Sequence, residues 1–156
     1  MLTDFFVWLQ STAVATAIAG SVLLTGGLSG VHIISFALLL GSSLVASLRL
    51  TGAIFADRPV VAITDSTDRG IAVGLVISIV TGVLLFSIRA SSAAENGVFQ
   101  LKMGVLVASA AFHFGAHRLV VRQPSTSPSR LRATGIVGLA LWTGVALAGC
   151  AFIFLE

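Results

Sequence analysis

The chain has 156 residues, of which 56% are hydrophobic and 10% charged, with a formal net charge of +3 and a single cysteine. A soluble domain is about a quarter charged, so these proportions exclude a water-facing globule and point to one integral membrane domain over residues 1–156. The basic balance does not imply nucleic acid, because the basic residues stand at the ends of apolar segments, where they orient a chain in a bilayer.

The first apolar segment, about residues 5–24, carries no charge. Its large residues, Phe5, Phe6, Trp8, Leu9, Ile18 and Leu23, fall all round a helical wheel, whereas an interfacial helix shows one polar face. It is rich in Ala and Thr, so its transfer energy is weak, and it suits either crossing the bilayer or packing at one surface. The opening "MLTDFFVWLQ" is acidic where a secretory signal has a positive region, so no cleavable signal is expected. The "TGGLSG" that follows (25–30) reads as a flexible corner.

Four further segments, about 31–50, 70–88, 98–121 and 133–155, each approach the roughly 20 apolar residues that a span needs. Between them, "FADRPVVAITDSTDR", "RASSAAENG" and "RQPSTSPSR" carry the charges, prolines and small polar residues of connections. The expected fold is an all-α membrane bundle of four transmembrane helices preceded by an N-terminal hydrophobic helix. Seven arginines, from Arg49 to Arg132, flank or fill the connections 51–69 and 118–132, against Arg89 and Lys102 on the other side. This excess places both connections in the cytoplasm and the C-terminus outside, as in a multi-pass protein of a bacterial inner membrane.

Small residues recur at four-residue spacing, as in Gly70/Gly74, Ser78/Gly82, Ala111/Gly115 and Ala140/Gly144. Such faces let membrane helices approach closely. Most are expected to pack within the chain, and some could serve another membrane subunit or a second copy. Cys150, set in "ALAGCAFIF", forms no internal disulfide and reads as a small apolar side chain.

Ionisable groups within spans are costly and therefore functional candidates. Here they are His32, His113 and His117, with Arg49 and Lys102 as further polar candidates near the ends of spans. In "AFHFGAHR" (111–118), His113 and His117 share one helix face and could share a metal ion. No Cys, Asp or Glu stands nearby in the apolar spans, so no metal site is expected there. His117, next to Arg118, could simply reach the headgroups. Histidine also ligates haem. His32 lies near the start of its span and His113 past the middle of a parallel one, a depth difference of roughly 17 Å at 1.5 Å per residue. A haem held by two histidines of this one chain is therefore not expected. The second ligand would come from another chain, or from a parallel two-fold copy. Lys102 either snorkels to the surface or pairs with an anionic group near His32. No P-loop, nucleophile–base pair or intramembrane carboxylate relay is present, so no enzymatic activity is expected.

"HIISFALLLGSSLVASLRLTG" (32–52) and "NGVFQLKMGVLVASAAFHFGAH" (96–117) resemble an uncharacterised family of small bacterial integral membrane proteins. The family pattern has a histidine opening the first sure span, then Gly, then a "DLRLLG"-like end, met here by His32, Gly41, Leu48, Arg49, Leu50 and Gly52. Its "NPxFxxK" helix entry is met by Asn96, Phe99 and Lys102, and a later histidine by His117. The chain departs from the pattern at Ser47, where the family has an acidic residue, at Gly97 (proline) and at His113 (asparagine). The resemblance covers most of residues 5–120 and implies a four-span bundle after a short N-terminal helix; it implies no function. More loosely, the layout is similar to copper-resistance D-type and cytochrome b561-like bundles. The functional expectation is an accessory subunit of an inner-membrane redox complex, transferring electrons through haem b held by His32, His113 or His117. The alternative is a cofactor-free structural subunit packed against a larger complex. A small-solute or metal transporter fits less well, since few polar residues line any helix and none is clearly broken at mid-membrane.

Overall fold

The computed structural model describes residues 2–154. Helices α1 (Leu2–Ser11) and α2 (Ala13–Ala19) precede four long ones: α3 (Val22–Thr51), α4 (Val60–Ser87), α6 (Gly97–Arg122) and α7 (Pro128–Phe154). A short α5 (Ala90–Glu95) joins α4 to α6. All four long helices are long and apolar enough to cross a membrane, and no strand occurs among the described residues. The protein is an all-α, multi-pass membrane bundle, and most of its outward side chains are apolar and suited to lipid.

The N-terminal segment does not form one helix. Thr12 ends α1 and starts α2, its hydroxyl accepting from the Ala15 amide, and Ser21 accepts from the Leu24 amide to start α3. Two Ser/Thr caps of this kind divide residues 5–24 into helices of 10 and 7 residues, each too short to span. Gln10 ties α1 to the α4–α5 corner, donating to the Ile88 carbonyl (3.3 Å) and accepting from the Ser91 amide (2.9 Å). "TGGLSG" is no corner either: it lies wholly inside α3, which begins nine residues before the expected span. At 30 residues α3 is about 45 Å long, well beyond the hydrocarbon thickness, and its first residues, Val22 and Leu23, are almost fully exposed.

The other difference is at α4. The expected connection 51–69 shrinks to 52–59, because Gly52 (φ +81°) closes α3 and Pro59 stands at the entry to α4. The Arg49 guanidinium reaches across this turn to the Arg58 carbonyl. Residues 60–69 are helical, so Asp65 and Asp68 are carried on α4 rather than in a loop.

Helix α3 packs most extensively on α4 and then on α7, and α6 lies along α7. The seams are tight where glycine allows: a Cβ on Gly74 would stand 2.6 Å from the Ser35 carbonyl oxygen, and one on Gly135 2.9 Å from that of Ser47. Gly70, Gly74, Ser78 and Gly82 thus serve packing within the chain, against α3. The core holds Leu39, Ile71, Leu75, Trp142 and Val145. Helix α6 meets α4 at the arginine-rich end of the bundle, where α3 and α6 finish and α4 and α7 begin.

Candidate functional site

At that meeting point α6 changes pitch. Residues His113–His117 form one turn of π-helix within the longer helix. Such a turn breaks the i→i−4 ladder and is often found at functional sites. His113 and His117 project from it with their rings stacked, 4.7 Å between centroids and 29° between planes. Both side chains are 3% exposed. Phe114 and Trp142 stand edge-on to His113 at 5.0 and 6.4 Å.

The third member comes from α4. Asp68, buried to 6% exposure, places Oδ1 3.1 Å from His113 Nε2 and accepts a 3.1 Å hydrogen bond from Arg118 Nε on Oδ2. The His113–Asp68 approach is off the line of a ring N–H, and neither Asp68 Oδ1 nor His113 Nε2 has a hydrogen-bond partner. The buried His117 Nδ1 and Trp142 Nε1 are also without partners. One ligand atom from each of Asp68, His113 and His117 lies within 4.8 Å of the other two. Arg118, 42% exposed at its side chain, rests over the Phe114 ring and borders an open groove of about 640 Å³ that Phe114, Leu119 and Arg122 also line. One turn on, Arg122 donates to Asp65 at 3.3 Å. The expectation that no acidic group stands near the histidine pair is corrected: Asp68 joins them because α4 starts ten residues early. His117 does not reach the headgroups but is turned inward.

His32 lies elsewhere. Its Nδ1 is 2.9 Å from Thr81 Oγ1 on α4. Thr81 Oγ1 also lies 2.7 Å from the Ile77 carbonyl oxygen, so Thr81 can donate to Ile77 and accept from the imidazole when His32 carries its proton on Nδ1. Beside it, Ser35 donates to the His32 carbonyl at 2.9 Å and shares a 2.8 Å hydroxyl–hydroxyl bond with Ser78 across the seam. Gly82 provides the space, since a Cβ there would stand 3.1 Å from His32 Cε1. Thr81 and Asp68, which mark the two histidine sites on α4, are thirteen residues apart, about 20 Å along the helix. The structure therefore does not bring His32 together with His113 and His117. It does place His32 deeper than expected, ten residues into α3 rather than at its start.

Lys102 belongs to the His32 end. Phe99 stacks on Phe86 of α4 at 5.2 Å, and the half-buried Lys102 stem runs past Gly149 of α7. Several residues singled out in the sequence serve the backbone. Asn96 Oδ1 caps α6, accepting from the Val98 and Phe99 amides at 2.9 and 3.1 Å, while Gly52 and Arg49 shape the α3–α4 turn.

Residues 5–155 match the model of DUF6644, a family of unknown function, and the chain belongs to that family. No curated protein and no solved structure matches it. The likeness to copper-resistance D-type and cytochrome b561-like bundles is not among what these comparisons show.

Proposed function

We propose that this member of the DUF6644 family is a non-catalytic accessory subunit of an inner-membrane redox assembly, and that it contributes His32 as one axial ligand of a haem b shared with another chain. The observation that supports this most directly is the 2.9 Å contact of His32 Nδ1 with Thr81 Oγ1. With its proton on Nδ1 and donated to Thr81, the half-buried imidazole presents Nε2 as a lone pair, the state in which histidine ligates iron. Lys102, at the same end of the bundle, offers a cation for a propionate. With His113 and His117 about 20 Å away along α4, the second ligand has to come from a partner or a second copy. When bound, the haem would supply the electron-carrying couple, while this chain orients its ligand and shields it among apolar helices.

A second reading, a structural subunit without cofactor, draws on the same residues. The bonds of His32 to Thr81 and of Ser35 to Ser78 also hold α3 to α4, as polar side chains do in many membrane bundles. The deciding experiment is a reduced-minus-oxidised absorption spectrum of membranes from haem-replete cells and of the purified assembly, beside His32→Ala and Thr81→Val. The haem reading expects a sharp reduced α-band, lost in His32→Ala and weakened in Thr81→Val. A band equal in all three, or no haem band in either sample, overturns it and leaves the structural reading.

A further inference from the structure

We infer that Asp68, His113 and His117 form a binding site for a single divalent first-row transition-metal ion. The inference concerns the opposite end of the bundle from His32 and holds whether or not a haem is bound there.

The donor atoms carry the argument. Three buried side chains from two helices converge, and each leaves a ligand atom without a hydrogen bond: Asp68 Oδ1, His113 Nε2 and His117 Nδ1. Buried polar atoms are nearly always paired, and an orphan costs about 1–3 kcal/mol. Asp68 Oδ1 and His113 Nε2 face each other at 3.1 Å outside hydrogen-bond geometry and His117 Nδ1 has no partner, and a cation shared by the three side chains would satisfy them together. Their spacing fits. Ligand bonds of about 2.0–2.2 Å put two ligands of one ion about 3–4 Å apart. Asp68 and His113 already stand 3.1 Å apart, and the full set lies within 4.8 Å, so closure needs small side-chain rotations.

The surroundings fit too. A ligating carboxylate needs its second oxygen held, and Arg118 holds Asp68 Oδ2. The π turn brings the two imidazoles into register, one stacked on the other, where both can turn toward α4. The charge of Arg118 opposes a nearby cation, but its side chain is 42% exposed beside an open groove, where water screens it.

The ligand set selects the ion class. Two imidazoles and one carboxylate suit Zn(II), Fe(II), Co(II) or Ni(II). Mg(II) and Ca(II) prefer oxygen alone. Cu(I) prefers sulfur, and Cys150 lies in the last turns of α7, at the other end of the bundle. Three protein ligands leave a coordination position open, and the unpartnered Trp142 N–H beside His113 is a donor for water or an anion bound there.

The test uses the full chain, carried on a tag without histidine, purified in detergent, stripped with a chelator and titrated with CoCl₂. The expected result is visible d–d absorption that saturates at one Co(II) per chain and is displaced by Zn(II). Affinity should fall more than about tenfold in His113→Ala, His117→Ala and Asp68→Asn, since even changes outside the ligand shell cost 10–100-fold. Asp68→Asn keeps the volume and the acceptor for Arg118, so it separates lost ligation from lost folding, with helicity and elution volume as controls. His32→Ala should bind like the parent. Absence of saturable Co(II) binding in the folded chain overturns the site. So does binding that survives all three substitutions, or binding lost only with His32.

Discussion

The bundle contains two polar clusters, and they differ in what their atoms do. Around His32 the hydroxyls and the imidazole N–H form a closed chain: His32 to Thr81 to Ile77, and Ser78 to Ser35 to the His32 carbonyl. Around Asp68 only Arg118 makes a full hydrogen bond, while His113 meets the carboxylate as a 3.1 Å ion pair and His117 Nδ1 has no partner. Both clusters are embedded among apolar helices, so counting polar residues does not distinguish them. Counting unsatisfied atoms does. A satisfied network is glue, whereas an unsatisfied one carries a free-energy cost that a bound ligand or water relieves.

The most disruptive way to break this contrast is to open the seam that the His32 network spans. Gly74→Leu places a side chain where even a Cβ is 2.6 Å from backbone. It should cost about 3 kcal/mol or more, at the upper end of overpacking, because a carbonyl cannot move aside as a side chain can. Loss of a monodisperse peak in detergent would register it. A well-folded Gly74→Leu protein would mean that α3 and α4 are not so closely joined.

The next test reverses sign between the clusters. In metal-free protein, His117→Leu removes a buried unsatisfied nitrogen and should raise stability by about 1 kcal/mol. Zinc at a hundred times its dissociation constant should stabilise the parent by about 2.7 kcal/mol and leave His117→Leu unmoved. Thermal unfolding in detergent, with and without zinc, reads both. A destabilised His117→Leu would show that His117 is already well satisfied, and the contrast would fail.

His32→Leu should go the other way, lowering stability by about 1 kcal/mol, as expected for a made hydrogen bond within a membrane bundle. Zinc should stabilise this variant as it does the parent. If His32→Leu is stabilising, the His32 network is not a satisfied one.

The four spans were legible because long apolar runs can hardly do anything else. The N-terminal segment was not, since apolarity says nothing of where Thr12 and Ser21 cap a helix, although Ser/Thr at such positions is the signal to weigh. Asp68 was hidden by the same confusion in reverse. Its neighbourhood, "DSTDR", looks like loop punctuation, yet Pro59 marks a helix start that carries it inside α4. The spacing of Asp65 and Asp68 against Arg118 and Arg122 holds a further clue, an ion-pair ladder between α4 and α6. The π turn has no signal of its own in the sequence. The histidine pair is legible as a candidate, and Asp68 joins it once α4 begins at Val60 rather than ten residues later.

The smallest effect is also the sharpest measure of the glue. Ser35 and Ser78 share one 2.8 Å bond across the α3–α4 seam, with Ser35 committed to the His32 carbonyl. Either serine replaced by alanine removes that bond, so the double variant should cost less than the two singles combined. Polar contacts between membrane helices couple by about 0.6 kcal/mol on average, because the alternative partners in lipid are backbone groups of the same helix. A cycle of Ser35→Ala, Ser78→Ala and the double variant should return about that value. A coupling near zero would mean that each hydroxyl is satisfied within its own helix and the seam is held by glycine packing alone. One above about 2 kcal/mol would exceed what such bonds reach in lipid and would point to cooperation along the chain from Ser78 through Ser35 to His32. In that case, disturbing the seam would also move the His32 ring and its free Nε2.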